Sequence, residues 1–345
     1  MIDKEWIDFV NNEKNSDMLH DPQIIKIFSD EWKCSSFHKV LETELGKIGV
    51  PAYIIKNSFL GKKITTQPFL YFPKLLGCMD DGKAIEHLIN KAKSLGKEWY
   101  VEYKSHKKLS SQISKNLGIK TVSPLIDSTL FLENSYEDQI KHFQKRFLVN
   151  IKSKSKKLEE KNIIIKSAES EQEVKKFYDL LCKSYKNKHR ILCHPQSLFL
   201  NLFLTLKKSN SIDFILAIKN EDVLAGIIVL KKNSTWNYSW GAYDESLQNR
   251  NLNLNTLLIN SAIKEAISKK IKIFSFGSTS VTDKNLLMYK THWGCFHEPI
   301  YYHYWNKEPN VLDVNEKYYK LRSLFRIIPL PIFKFLSKYL PPRLA

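Results

Sequence analysis

The sequence predicts an α/β fold built twice in tandem, with mixed sheets flanked by helices. Three observations carry this. Amphipathic helical stretches alternate with short runs of β-branched and aromatic residues along the chain. Two distant segments share one plan: "GKAIEHLINKAKSLGKEWYVEYKS" (82–105) and "NTLLINSAIKEAISKKIKIFSFGS" (255–278). Each is an amphipathic helix, a short basic turn and a strand ending at serine, as a duplicated unit would be. Finally, 345 residues exceed one ordinary domain and suit two of roughly 150 residues each.

The elements follow in order. Residues 3–47 show helical spacing with short breaks. "VPAYIIK" and "KKITTQPFLYFP" read as strands, the second interrupted by Pro68. Gly82–Leu95 places Ile85, Leu88, Ile89 and Ala92 on one helix face. Glu98–Lys104 is a strand, Leu109–Gly118 a short helix closed by glycine, and Ser123–Glu133 a strand. Tyr136–Asn162 reads as one long, strongly basic helix, followed by the strand "IIIKSA". A helix then opens on the capping pair Ser170–Glu173, and another covers about Pro195–Lys208. Three strands with turns span 211–243, Leu252–Lys269 is a helix, and "IKIFSFG" is a strand ending at Phe276. The sheet-forming segments divide near Asn134, giving modules over 1–134 and 135–310 and a basic amphipathic tail over 311–345.

Composition narrows the chemistry. Fifty-four Lys and Arg against 36 Asp and Glu give a net charge of +18, which suits anionic partners such as phosphates, nucleic acid or an acidic membrane face, the open alternative being a plain solvated basic surface. Five cysteines with no CxxC pair fit reduced thiols in the cytoplasm. The N-terminal stretch lacks a signal-peptide pattern, and no apolar run reaches membrane-spanning length. Two His/Cys groups (Cys182, His189, Cys193, His194; and His292, Cys295, His297) lack zinc-type spacing, so no metal is expected. GxGxxG, P-loop, GxSxG and HExxH patterns do not occur. The tail stripe Tyr318, Leu321, Phe325 and Ile328 either packs on the body or lies on an anionic membrane.

The segment "FSFGSTSVTDKNLLMYKTHWG" (274–294) is the most specific. Gly277–Ser278 permit a sharp turn or close ligand approach, and Lys290 beside Tyr289 could bind phosphate or an oxyanion. With the following "PIYYHYW", this string resembles the pattern strand, FG(S/R)S, loop, FK, two residues, (F/W)G. That pattern belongs to the Fem-like branch of the GNAT acyltransferase superfamily, which includes peptidoglycan-bridge aminoacyltransferases. "KRFLVNIKSKSKK", "FYDLLCKSYKNKHRILCHPQSLFLNLF", "DVLAGIIVL…WNYSWGAYDE" and "TTQPFLYFPKLLG" are similar to further family segments, in the family's order.

The resemblance implies two GNAT-like modules and amide formation on an amine of a cell-envelope substrate, a peptidoglycan precursor or surface polysaccharide. The donor would be acyl-CoA or aminoacyl-tRNA as co-substrate, with no tightly bound cofactor. Lys290 would be catalytic, holding phosphate or developing charge. Arg190, with Lys188 as its rival, would grip a pyrophosphate. Phe276, Gly277, Ser278, Tyr289 and Gly294 would shape the substrate site. The donor-phosphate loop maps to "QNRNLN", making Gln248, Arg250, Asn251 and Asn253 the donor-binding candidates, with the two asparagines standing where the pattern has glycines. No long paired-heptad arm of the tRNA-dependent type occurs, so the donor stays open. Expected partners are a phosphate-bearing precursor, tRNA and the inner membrane face. The alternative is a non-catalytic module that grips tRNA or lipid phosphates on a degenerate transferase fold.

Overall fold

The computed structural model describes residues 2–57, 61–66, 74–246, 250–309 and 324–339. The first half runs α1 (Lys4–Asn12), α2 (Pro22–Trp32), β1 (Ser35–Ser36), β2 (Lys39–Thr43), β3 (Gly46–Val50), β4 (Tyr53–Asn57), β5 (Gly61–Thr65) and β6 (Leu76–Gly77). It continues with α3 (Asp81–Leu95), β7 (Trp99–Ser105), α4 (Ser111–Leu117) and β8 (Ile119–Phe131). Next come α5 (Tyr136–Gln139), α6 (Lys145–Glu160), β9 (Ile164–Ser167), α7 (Glu171–Ser184), α8 (Gln196–Leu206), β10 (Ile212–Lys219) and β11 (Asp222–Lys232). The chain then forms β12 (Thr235–Tyr243), α9 (Leu254–Ser268), β13 (Ile273–Ser280), α10 (Lys284–Thr291), β14 (Phe296–Trp305) and α11 (Leu330–Tyr339).

Eleven strands form one mixed sheet in the order β1-β4-β5-β7-β14-β8-β13-β12-β11-β10-β9, and β2-β3-β6 make a small second sheet. The halves are therefore not separate sheets. β14, the last strand, lies between β7 and β8 and pairs antiparallel with both, while β8 also pairs with β13. Each half still repeats the helix-then-strand unit foreseen in the sequence, α3–β7 and α9–β13. In each, the strand after the helix joins an earlier strand in parallel, β5 with β7 and β12 with β13.

The second half is buried on both sheet faces, so its central strands read as continuous apolar runs. Alternation along β11 sends Ile228 and Leu230 towards α2, α7 and α8, and Ile227 and Val229 towards α9. Gly226 makes the first contact close: a Cβ there would stand 2.4 Å from the Phe177 ring and 2.8 Å from Leu216. In the first half, α3 lays Ala84, Ile85, Leu88 and Ile89 against Val50, Ile64 and Val101. Lys231 is buried between Asp213 (2.8 Å) and Glu265 (3.0 Å), joining β10, β11 and α9.

Several expectations need correction. The helical stretch expected over 3–47 ends at Trp32, and β2 and β3 form a hairpin. The single helix expected over Tyr136–Asn162 is broken at Phe143–Gln144, both extended. The break lets Phe143 and Phe147 flank the fully buried Trp293 at ring distances of 5.1 and 4.8 Å, and the Gln144 N–H donates to the His292 carbonyl. That aromatic burial outweighs helical continuity. Ser170 caps α7 as expected, but the Glu173 carboxylate accepts from Glu169 rather than from Ser170. In the tail, Tyr318 and Leu321 lie outside the described residues, whereas Phe325 is buried and Ile328 packs on the α7–α8 core. α11 buries Phe333 and leaves Ile332 and Phe335 exposed.

A forked sheet with a cavity on each face

β12 and β13 run parallel for only three positions, Thr235–Asn237 against Ile273–Ser275. Beyond Asn237 and Ser275 they part, β12 continuing beside β11 and β13 beside β8. Both strands carry irregularities near the fork. The β11–β12 register shifts between Ile228 and Val229, so Trp240 and Ala242 join the α7–α8 face although Trp236 packs against α9. The β13–β8 register shifts between Ser275 and Gly277, with Gly277 at φ 66°. β13 runs on to Ser280, so the turn expected after Phe276 is instead a bulge within the strand. Glycine is required there by the left-handed backbone.

On the α9 side, the helix starts at the fork. Its N-cap, Asn253, adopts the left-handed conformation and makes no side-chain capping bond. The first amides of this 15-residue helix are therefore uncapped, and its dipole presents partial positive charge. A cavity of about 270 Å³ opens on this end, lined by Asn253, Asn255, Thr256, Tyr243, Tyr289 and Lys188. Tyr289 bonds Thr256 through its hydroxyl at 3.1 Å, and burial pushes its phenol well above the usual range. Lys188 is exposed at the mouth, on a π turn (Tyr185–His189) that extends α7, with its ammonium 5.5 Å from the Tyr243 ring. Uncapped amides with a nearby lysine suit phosphate.

The sequence candidates divide around this cavity. Lys188, Asn253 and Tyr289 line it. Arg190 is exposed at the left-handed end of the π turn (φ 55°) and does not line it. Asn251 is exposed in the preceding turn, only the backbone of Arg250 is described, and Gln248 lies outside the described residues. Phe276 is buried beside Trp293, at a ring distance of 5.9 Å. Ser278 is half-buried and registers against Asp127. Gly294 sits at φ 80°, where a Cβ would meet the His142 backbone at 3.0 Å.

Lys290 is buried on α10, and its ammonium donates to the Phe276 and Gly277 carbonyls at 2.8 and 2.7 Å. Burial lowers its pKa to about 8, opposed by Asp127. It therefore clamps the bulge on β13. Cys295 is buried too, and burial pushes its thiol up to about 12, against use as a nucleophile. His194 packs between Trp32 and Trp240, with burial lowering it to about 4. Among the described residues, no three His, Cys, Asp or Glu gather as a metal site.

On the opposite face, a cavity of about 350 Å³ lies over β8, β13 and β12 and is roofed by the segment around Asp17–His20 and by residues 74–79. Asp127, Thr129, Asn237, Ser275 and Glu298 form its polar wall. His106 reaches Asp127 at 3.3 Å through Nε2 and Glu298 at 3.8 Å through Nδ1. Burial would raise Asp127, but His106 and nearby lysines hold it below the usual carboxylate range. Ser275 and Asn237 lie within the motif segments, whereas Asp127, Thr129, His106 and Glu298 belong to none. The signal available was a carboxylate in the otherwise uncharged strand "SPLIDSTLF".

Comparison with known proteins agrees with this architecture. Residues 145–285 match the family model described as an acetyltransferase (GNAT) domain. No curated protein matches the chain in sequence. Among solved structures, FemX is similar over 93% of this chain and 98% of its own, with a TM-score of 0.65 and 13% identity. A domain assigned to a lysylphosphatidylglycerol synthetase of Agrobacterium fabrum covers 89% of this chain and 93% of its own, with a TM-score of 0.55 and 8% identity. A tandem GNAT protein from the clavulanic acid biosynthesis pathway covers 89% and 95%, with a TM-score of 0.50 and 8% identity. Residues 145–285 thus match a GNAT acetyltransferase domain, and the chain as a whole shares the fold of FemX and of the tandem GNAT protein.

Proposed function

We propose that this acyltransferase forms an amide on an amine of a cell-envelope precursor, taking its acyl group from acyl-CoA or aminoacyl-tRNA. The carrying observation is the fork: two parallel strands part at Asn237 and Ser275, beside an uncapped helix end with Lys188 at its mouth. Ligands of open α/β sheets sit at such separations. The donor phosphates lie on the α9 amides and Lys188, and the acyl group enters the fork. The acceptor nitrogen attacks the acyl carbon, the C–N bond forms, and the C–S or C–O bond to the carrier breaks. No side chain is acylated, and positioning carries the reaction. Lys290 acts as a positioning residue, fixing the carbonyls of the Gly277 bulge. Lys188 takes the phosphate-gripping role in preference to Arg190, because it lines the cavity. The cell-envelope assignment is supported by the Fem-like motifs and by the shared fold of FemX and the lysylphosphatidylglycerol synthetase domain. The modules are taken as 1–134 and 135–310, with 311–345 as the tail, acting at the inner face of the membrane.

The test is mass spectrometry of products after purified protein meets acetyl-CoA or aminoacyl-tRNA together with amino-sugar and peptidoglycan precursors. An amide product whose yield falls about tenfold in Lys188→Ala supports the reading. No amide from either donor sinks it.

A further inference from the structure

The C-terminal tail divides its side chains between two faces. Its inner face is anchored. Phe333 is fully buried, Phe325 nearly so, and Ile328 and Leu330 pack with them on the α7–α8 core. Polar contacts hold the same face. The Cys193 N–H donates to Ser337 Oγ at 3.2 Å, Lys334 pairs with Asp179 of α7, and Lys186 donates to the Arg326 carbonyl at 2.7 Å. The outer face is apolar as well. Ile332, Phe335 and Tyr339 follow at helical spacing on α11, and all three are exposed, Phe335 by 61%. Ile327, just before the helix, is 80% exposed. The Phe335 and Tyr339 rings lie together, their centroids 4.8 Å apart. With Leu324, these are five of the fourteen exposed large apolar side chains among the described residues, gathered in one short segment. Scattered apolar residues need no partner, but a gathered set marks an interaction surface.

Charge selects the partner. From Lys317 to Ala345 the sequence holds seven basic residues and no acidic one. Arg326 and Lys338 are exposed beside the apolar residues, and Asp179, the carboxylate that meets the tail, is taken up by Lys334. Lys183 is also exposed, between Asp179 and Lys186 at helical spacing. A second copy of the chain is a poor occupant, because a two-fold contact would bring one cationic patch against another. We propose that the outer face of the tail docks the protein on the surface of an anionic lipid bilayer. Ile327, Ile332, Phe335 and Tyr339 enter the boundary between headgroups and acyl chains, while Arg326 and Lys338 meet lipid phosphates. Because the inner face is already packed, these side chains are presented in place. The proposal rests on the membrane-facing part of the function proposed above and names the surface responsible. It also gives the docked protein an orientation. Lys186 belongs to the π turn that carries Lys188, so the docked tail stands beside the turn at the mouth of the α9-side cavity.

The test is flotation of the full chain with two kinds of vesicle, phosphatidylcholine alone and phosphatidylcholine with one quarter phosphatidylglycerol, with no donor or acceptor present. Binding to the anionic vesicles is expected to be at least tenfold tighter than to the neutral ones. Net charge alone would draw any face of this protein to anionic lipid, so the apolar residues decide. Ile332→Ser with Phe335→Ser is expected to weaken binding to anionic vesicles about tenfold, and Lys338→Ala severalfold. Val149→Ser is the control. Val149 is exposed on α6, whose apolar side packs in the α9 core on the opposite sheet face, and its loss should leave binding at the wild-type level. Thermal melts check that the variants fold. Equal binding to the two vesicles, unchanged binding in the folded double variant, or an equal loss in Val149→Ser overturns the proposal. Sedimentation velocity reads the rival occupant: a wild-type dimer that the double variant abolishes, without vesicle binding, assigns the face to a second copy and overturns it too. Because no substrate is present, tail-dependent docking with no amide product in the mass-spectrometric test ends the transferase reading alone. Amide product with docking unchanged in the double variant ends only this one.

Discussion

Lys290 carries its ammonium into the second half of the molecule, where it meets two carbonyls of a bulged strand. This placement has consequences for stability as pH changes. Its folded pKa of about 8 lies below the ordinary lysine value of 10.5, so between these values the unfolded chain binds more protons than the folded one. Stability contributed at this site therefore rises as pH increases through that window. Chemical denaturation of the wild type against Lys290→Met should show the wild type gaining about 2–3 kcal/mol relative to the variant between pH 8 and 10. A flat difference would contradict the burial argument. The sequence marked Lys290 by its neighbours, Tyr289 and the flanking glycines, and these do surround it. Its hydrogen-bond partners were not legible, because they are backbone atoms placed by a bulge 13 residues earlier. Gly294 was legible only as a motif letter, yet its reason is geometric. Gly294→Ala should cost about 1–3 kcal/mol, since it adds a left-handed penalty to a contact with His142; a thermal melt would read it.

Among elements, α9 and α7 show how packing and function divide a helix. α9 was predicted over Leu252–Lys269, and Leu254–Ser268 is observed, because Leu257, Leu258, Ala262 and Ile263 repeat at helical spacing and all become buried. Its uncapped start could not be read, since an Asn at an N-cap ordinarily suggests a capping bond; only the left-handed backbone of Asn253 shows that it makes none. Thr256→Glu would set a carboxylate in this cavity. It should weaken binding of a pyrophosphate-bearing donor such as CoA at least tenfold in calorimetry while leaving the melting temperature within a few degrees. α7 approaches β11 at Gly226, and Gly226→Ala should destabilise the protein by about 1–3 kcal/mol by forcing Phe177 out of its place. Denaturant titration checks it. The break between α5 and α6 was not legible, since apolar periodicity continues across it and only the burial of Trp293 explains the interruption.

At the scale of the molecule, the duplication was legible because the α3–β7 and α9–β13 units keep the same order of helix, turn and strand. The merging of both halves into one sheet was not. Strand patterns report which residues are apolar, not which neighbour they choose, and β14 chooses two strands of the first half. Fragments cut at residue 134 should therefore fail as independent folded units: 1–134 lacks the strand between β7 and β8, and the remainder lacks β8 beside β13. Circular dichroism and amide NMR of each fragment should show loss of cooperative melting, with recovery on mixing. A fragment 1–134 that melts cooperatively alone would refute this. The same interleaving bears on the cavity opposite α9, because β8 of the first half and β12 and β13 of the second together supply its wall.

The position of β14 also sets a schedule for biosynthesis. Residues 99–131 emerge early, but the strand that separates β7 from β8 ends at Trp305. At about 5–20 residues per second of synthesis, the early strands wait on the order of ten seconds or more with unpaired edges. Such edges invite pairing with other chains. The nascent first half is thus the stage at which a holding chaperone would matter most, and slowed translation between residues 131 and 296 would lengthen that exposure without altering a single contact of the finished molecule.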